Sequence, residues 1–126
     1  MYIMLNGYFL LGGDSIETTS MRPEPPRSTV RVKIVSPTIK IQKVGSTVNF
    51  TCEAQSRMTP RRLPVNWYKV DGNLPQGRST VDERRGLLLI TNLQVSDSGK
   101  YICETTDGMS TEQAIATLKV PGNYLL

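Results

Sequence analysis

From Val30 onward, apolar and polar residues alternate in short runs. Val30, Val32 and Ile34 alternate with Arg31 and Lys33, Pro37 breaks the run, and Ile39 and Ile41 alternate with Lys40 and Gln42. This reads as a first edge strand that kinks at Pro37 and continues. Val48, Phe50 and Cys52 follow with Asn49 and Thr51 between them, and then Val65 with Trp67 after Pro64. Asp71-Gly72 is a tight-turn pair. Residues 79–82 read as a short strand. Leu88 and Ile90 share one face of the next, which Leu93 closes. Tyr101 and Cys103 alternate with Lys100 and Ile102, Asp107-Gly108 predicts a primed hairpin turn, and Ala114, Ala116, Leu118 and Val120 form the last apolar face. The pattern predicts seven or eight short strands with turn signals every 8–12 residues and no long amphipathic helix, hence an antiparallel sandwich or barrel.

The residues before Val30 have a different texture. Residues 1–13 are mostly apolar but too short for a membrane span, which needs about 20 residues. Ile3 to Leu11 resembles the apolar stretch of a secretory leader, although no Lys or Arg precedes it and Asn6-Gly7 interrupts it. Residues 14–29 are rich in Ser, Thr, Pro and charge, the composition of a flexible linker. The expected organisation is a flexible leader and linker over 1–29, one all-β domain over 30–121 and a tail over 122–126.

Composition narrows the chemistry. Among 126 residues there is no histidine, which removes the commonest general base and the commonest metal ligand together. No nucleophile elbow, phosphate loop or calcium-loop spacing is present. The chain is expected to be no enzyme and to need no cofactor. A formal net charge of +4 falls short of a nucleic-acid-binding signature and permits an acidic partner. The two cysteines, Cys52 and Cys103, are either one long-range bridge or two buried thiols.

The fold is narrowed by residues in a fixed order. Gly45-x-x-Val48-x-Phe50-x-Cys52, Val65-x-Trp67 and Asp97-x-Gly99-x-Tyr101-x-Cys103 together resemble the immunoglobulin superfamily over residues 30–121. The short interval from Trp67 to Cys103 is similar to the intermediate, or I-set, class. Trp67-Tyr68-Lys69-Val70-Asp71-Gly72-Asn73-Leu74-Pro75 and Gln94-Val95-Ser96-Asp97-Ser98-Gly99 are similar to the immunoglobulin repeats of perlecan-type basement-membrane heparan sulfate proteoglycans.

This resemblance implies a two-sheet sandwich pinned by a Cys52–Cys103 disulfide with Trp67 packed against it. It implies a corner in which Tyr101 bonds back to the backbone, Gly99 permits close backbone approach, and Asp97 accepts turn hydrogen bonds or pairs with Arg78, Arg84 or Arg85. The implied role is an extracellular binding or scaffold module of a matrix or adhesion protein. A cell-surface receptor ectodomain and an intracellular muscle-type repeat are the rival roles. Two further features are read from the residues. Asn49-Phe50-Thr51 is an N-glycosylation sequon on an outward position. Arg57, Arg61 and Arg62 cluster in a loop that the family pattern does not explain, a candidate contact for heparan sulfate or another acidic partner beside an ordinary solvated loop.

Overall fold

The computed structural model describes residues 27–122. The leader, most of the linker and tail residues 123–126 lie outside the described residues. Among the described residues eight strands follow in order: β1 Val30–Ile34, β2 Ile39–Ile41, β3 Val48–Ser56, β4 Asn66–Lys69, β5 Ser79–Asp82, β6 Leu87–Ile90, β7 Gly99–Thr106 and β8 Thr111–Lys119. They build two four-stranded sheets, β1-β3-β6-β5 and β2-β8-β7-β4. The pairings are antiparallel except β2 on β8, which is parallel.

The period-two alternation selects the inner faces. On β3, Val48, Phe50, Cys52 and Ala54 point inward and are buried, while Asn49, Glu53 and Gln55 face out. Leu88 and Ile90 continue that layer on β6. Trp67, Tyr101, Cys103, Ala116 and Leu118 form the opposing layer. Each large side chain buried this way contributes about 1.5–3 kcal/mol relative to exposure. Aromatic rings occupy the centre, with Phe50 6.1 Å from Trp67 and 6.5 Å from Tyr101 between ring centroids.

Cys52 on β3 and Cys103 on β7 are bonded across the two sheets, with 6.5 Å between their Cα atoms. In the loop-entropy account, closing a loop of this length stabilises the fold by about 4 kcal/mol. Trp67 stands directly beside Cys103 in the β4–β7 register, and its indole Nε1 donates to the Gly86 carbonyl at 3.0 Å. Gly86 has φ +70°, and a Cβ there would lie 1.9 Å from the Cys52 carbonyl oxygen. Only glycine fits, because the backbone beside the bridge comes this close.

Three local expectations are corrected. The segment around Pro37 is not one kinked strand. The chain leaves the first sheet after Ile34 and re-enters the second as β2. Paired with Thr117 and Lys119, Ile39 and Ile41 point to solvent, and Lys40 turns toward the gap between the sheets. Its Nζ lies 5.3 Å from the Phe50 ring centroid and donates to the Asn49 carbonyl. Leu93 is buried beyond the end of β6 rather than closing it. The β7–β8 loop has four residues rather than a two-residue primed turn, because Thr106 pairs with Thr111 and Asp107 Oδ1 accepts from the amides of Met109 and Ser110.

Candidate binding surfaces

The two ends of the sandwich use their polar side chains differently. At the end where β7 begins, Asp97 closes a short 3₁₀ turn, Val95–Asp97. Its carboxylate accepts from the Gln94 amide at 2.8 Å and from both terminal nitrogens of Arg78 at 2.8 and 2.9 Å. The Asp97 side chain is 4% exposed and that of Arg78 21%. Arg78, aided by the Gln94 amide, holds the Asp97 carboxyl below its ordinary range against the opposing effect of burial. The same Arg78 donates to the carbonyls of Thr91 and Asn92, stitching the corner to the end of β6. Tyr101 donates its hydroxyl to the Asp97 carbonyl at 2.6 Å, and burial pushes its phenol up to about 12.

Thus the structure selects Arg78 as the partner of Asp97 among the three arginines the sequence left open. Arg85 lies beside Asp82 instead, 3.7 Å away. The role of Gly99 is corrected. A methyl group there would meet nothing nearer than the Lys69 side chain at 3.5 Å, so close approach does not demand glycine. Its φ of +144° does, since that backbone region disfavours any side chain.

At the opposite end, residues 56–63 extend β3 and fold back on it. The amides of Ser56 and Leu63 donate to the carbonyls of Arg61 and Ala54, and Gln55 bridges Arg62. The Arg57 amide donates to the Thr29 carbonyl. Thr29 in turn bonds Asp107 and Ser110, so the N-terminal strand, the arginine loop and the β7–β8 loop are tied together. The Thr29 hydroxyl and the loop amides hold the Asp107 carboxyl below its ordinary range.

Arg57, Arg61 and Arg62 are all exposed, and among the described residues none is in an ion pair. They do not share one concavity. Arg57 lines an open hollow of about 670 Å³ with Arg27, Arg31 and Met58. Arg62 lines another with Arg84, Glu83 and Pro64. Arg27 and Arg31 were missed from the sequence because they belong to the linker and β1, far from the loop in the chain. At the start of β3, Asn49 is exposed on the outer face of the first sheet. Among the described residues no group of acidic or cysteine side chains is arranged to hold a metal ion, and no helix is long and apolar enough to cross a membrane.

A bridged two-sheet sandwich with a tyrosine corner defines a class, and comparison with known proteins agrees. The family model described as immunoglobulin domain matches residues 25–106, and the chain belongs to that family. The chain is 36% identical over 86 residues to the basement membrane proteoglycan of Caenorhabditis elegans, covering 68% of this chain and 2% of that one. It is 30% identical over 116 residues to the endothelial cell-selective adhesion molecule of Macaca fascicularis, covering 86% of this chain and 26% of that one. It is 29% identical over 110 residues to the smooth muscle myosin light chain kinase of Gallus gallus, covering 84% and 6%. Among solved structures, domain 1 of VCBP3 from Branchiostoma floridae superposes with a TM-score of 0.61 at 18% identity, over 77% of this chain and 98% of that one. The chain therefore spans a small part of the proteoglycan, adhesion and muscle proteins it resembles.

Proposed function

We propose that this chain is a non-enzymatic extracellular binding module, of the kind repeated in matrix proteoglycans and adhesion proteins. Its mechanism is presentation of a rigid surface to partner proteins. The observation that carries this reading is the Cys52–Cys103 bridge, because such bonds persist in oxidising compartments. The exposed Asn49 sequon and the similarity to a basement membrane proteoglycan support the same placement. The exposed arginines around Arg57, Arg61 and Arg62, joined by Arg27 and Arg31, offer a contact for heparan sulfate or an acidic protein surface.

The similarity to a smooth muscle kinase favours one second reading, an intracellular structural repeat with reduced cysteines. Native expression followed by glycosidase treatment separates the two. The extracellular reading expects a mobility shift on deglycosylation that Asn49→Gln abolishes. A protein confined to the cytosol, with no glycan, selects the intracellular repeat.

A further inference from the structure

The outer face of the β1-β3-β6-β5 sheet is divided into a charged half and a nearly uncharged one. Side chains alternate between faces along each strand, so Arg31 and Lys33 on β1 face out opposite Gln55 and Glu53 on β3. The next outward pair is Val35 and Thr51, joined by a bond from the Val35 amide to the Thr51 carbonyl at 2.9 Å. Register continues that row to Leu87 on β6 and Asp82 on β5, where Asp82 lies beside Arg85. The row after it holds Asn49, Leu89 and Thr80.

Leu87 and Leu89 are partly exposed and depart from the polar-outside pattern of a half-exposed antiparallel sheet. Residues directly opposite on neighbouring strands have Cβ atoms about 4.5–5.5 Å apart, so Asn49 stands beside Leu89 and one diagonal from Leu87. Because β1 ends at Ile34, opposite Cys52, Asn49 has a strand neighbour on the β6 side and none from β1. Lys40 Nζ donates to the Asn49 carbonyl at 2.6 Å, which anchors the backbone there and leaves the side-chain amide exposed.

We propose that an N-linked glycan on Asn49 lies back along Leu87 and Leu89, so that its first N-acetylglucosamine covers the two leucines and stabilises the sandwich. The faces of that sugar ring present C–H groups, and its acetamide ends in a methyl, both suited to leucine. Its hydroxyls lie at the rim, where Thr51 and Thr80 beside the stripe offer hydroxyl partners. The charged half of the same face, with Arg31, Lys33, Glu53 and Gln55, favours water and has no apolar stripe to cover. The sequon falls in the other half, one strand from the leucines. A protein docked on these leucines would have to displace a glycan rooted at their nearest neighbour, so the stripe is assigned to the sugar.

The proposal rests on the extracellular reading, because this modification belongs to secreted chains. Expression in a secretory host that leaves glycans in the high-mannose form gives three forms to melt. They are the full glycan, the glycan cut by endoglycosidase to its first N-acetylglucosamine, and Asn49→Gln. The full and trimmed forms are expected to melt within about 1 °C of each other. Asn49→Gln is expected to melt about 3–6 °C lower, the worth of one buried methylene group in a domain of this size. In Leu89→Thr, and separately in Leu87→Thr, losing the glycan is expected to cost less than about half as much, which locates the effect on the stripe. Asn49→Gln melting within about 1 °C of the glycosylated protein overturns the proposal. So does a trimmed form that melts with Asn49→Gln. A loss undiminished in both leucine variants also overturns it, since the effect then lies in the unfolded chain. In each of these cases a bridged protein that carries the glycan leaves the extracellular reading standing. A natively expressed chain bare at Asn49 overturns the cover, and free thiols beside it overturn the extracellular reading as well.

Discussion

The two ends of the sandwich carry similar charged residues and put them to opposite use. At the corner end, Arg78 is committed to one carboxylate and two backbone carbonyls, and Asp97 is nearly enclosed. At the far end, Arg57, Arg61 and Arg62 are held only through their backbone, and their guanidinium groups are open to solvent. The difference teaches that charge alone does not mark a binding site. Only charge that the scaffold does not consume is free to meet a partner.

The comparison can be broken at several levels. The largest effect is expected between the two ends, at the bridge. Gly86→Ala forces a methyl onto the Cys52 carbonyl and is expected to cost about 3 kcal/mol or more, read by chemical denaturation. Next comes the corner. Asp97→Asn keeps the turn but removes the charge facing Arg78, and is expected to cost about 2 kcal/mol at neutral pH. Because the folded Asp97 carboxyl lies below its ordinary 3.8, its contribution is complete above that value and is lost as pH falls through the folded value. An acid titration of stability should therefore be steeper below about pH 4 in the parent than in Asp97→Asn, with the two converging at the acid extreme. At the far end, replacing Arg57, Arg61 and Arg62 together by Ala is expected to shift stability by less than about 0.5 kcal/mol and to bring earlier elution from heparin. Unchanged elution removes the acidic-partner contact; a large loss of stability removes the contrast between the ends.

The parts of this molecule that the sequence made legible are those where period two and burial agree. Val48, Phe50, Cys52, Leu88, Ile90, Tyr101, Cys103, Ala116 and Leu118 fall on every second position of their strands and are all inside. The Tyr101 corner was readable because its partner, the Asp97 carbonyl, is only four residues away. What stayed hidden depends on partners distant in the chain. The crossing of β2 to the second sheet reverses which of Ile39, Lys40 and Ile41 faces out, and nothing local records that. The need for glycine at position 86 arises from Cys52, and the choice of Arg78 over Arg84 and Arg85 arises from where β5 begins.

The proposed role is that of a disulfide-pinned module working outside the cell. Its most direct test is a non-reducing peptide map of the natively expressed protein, alkylated at lysis so that no bridge forms afterwards. The expected result is a linked pair of peptides containing Cys52 and Cys103, separated only on reduction. Both cysteines recovered as alkylated free thiols would contradict it and select the intracellular repeat.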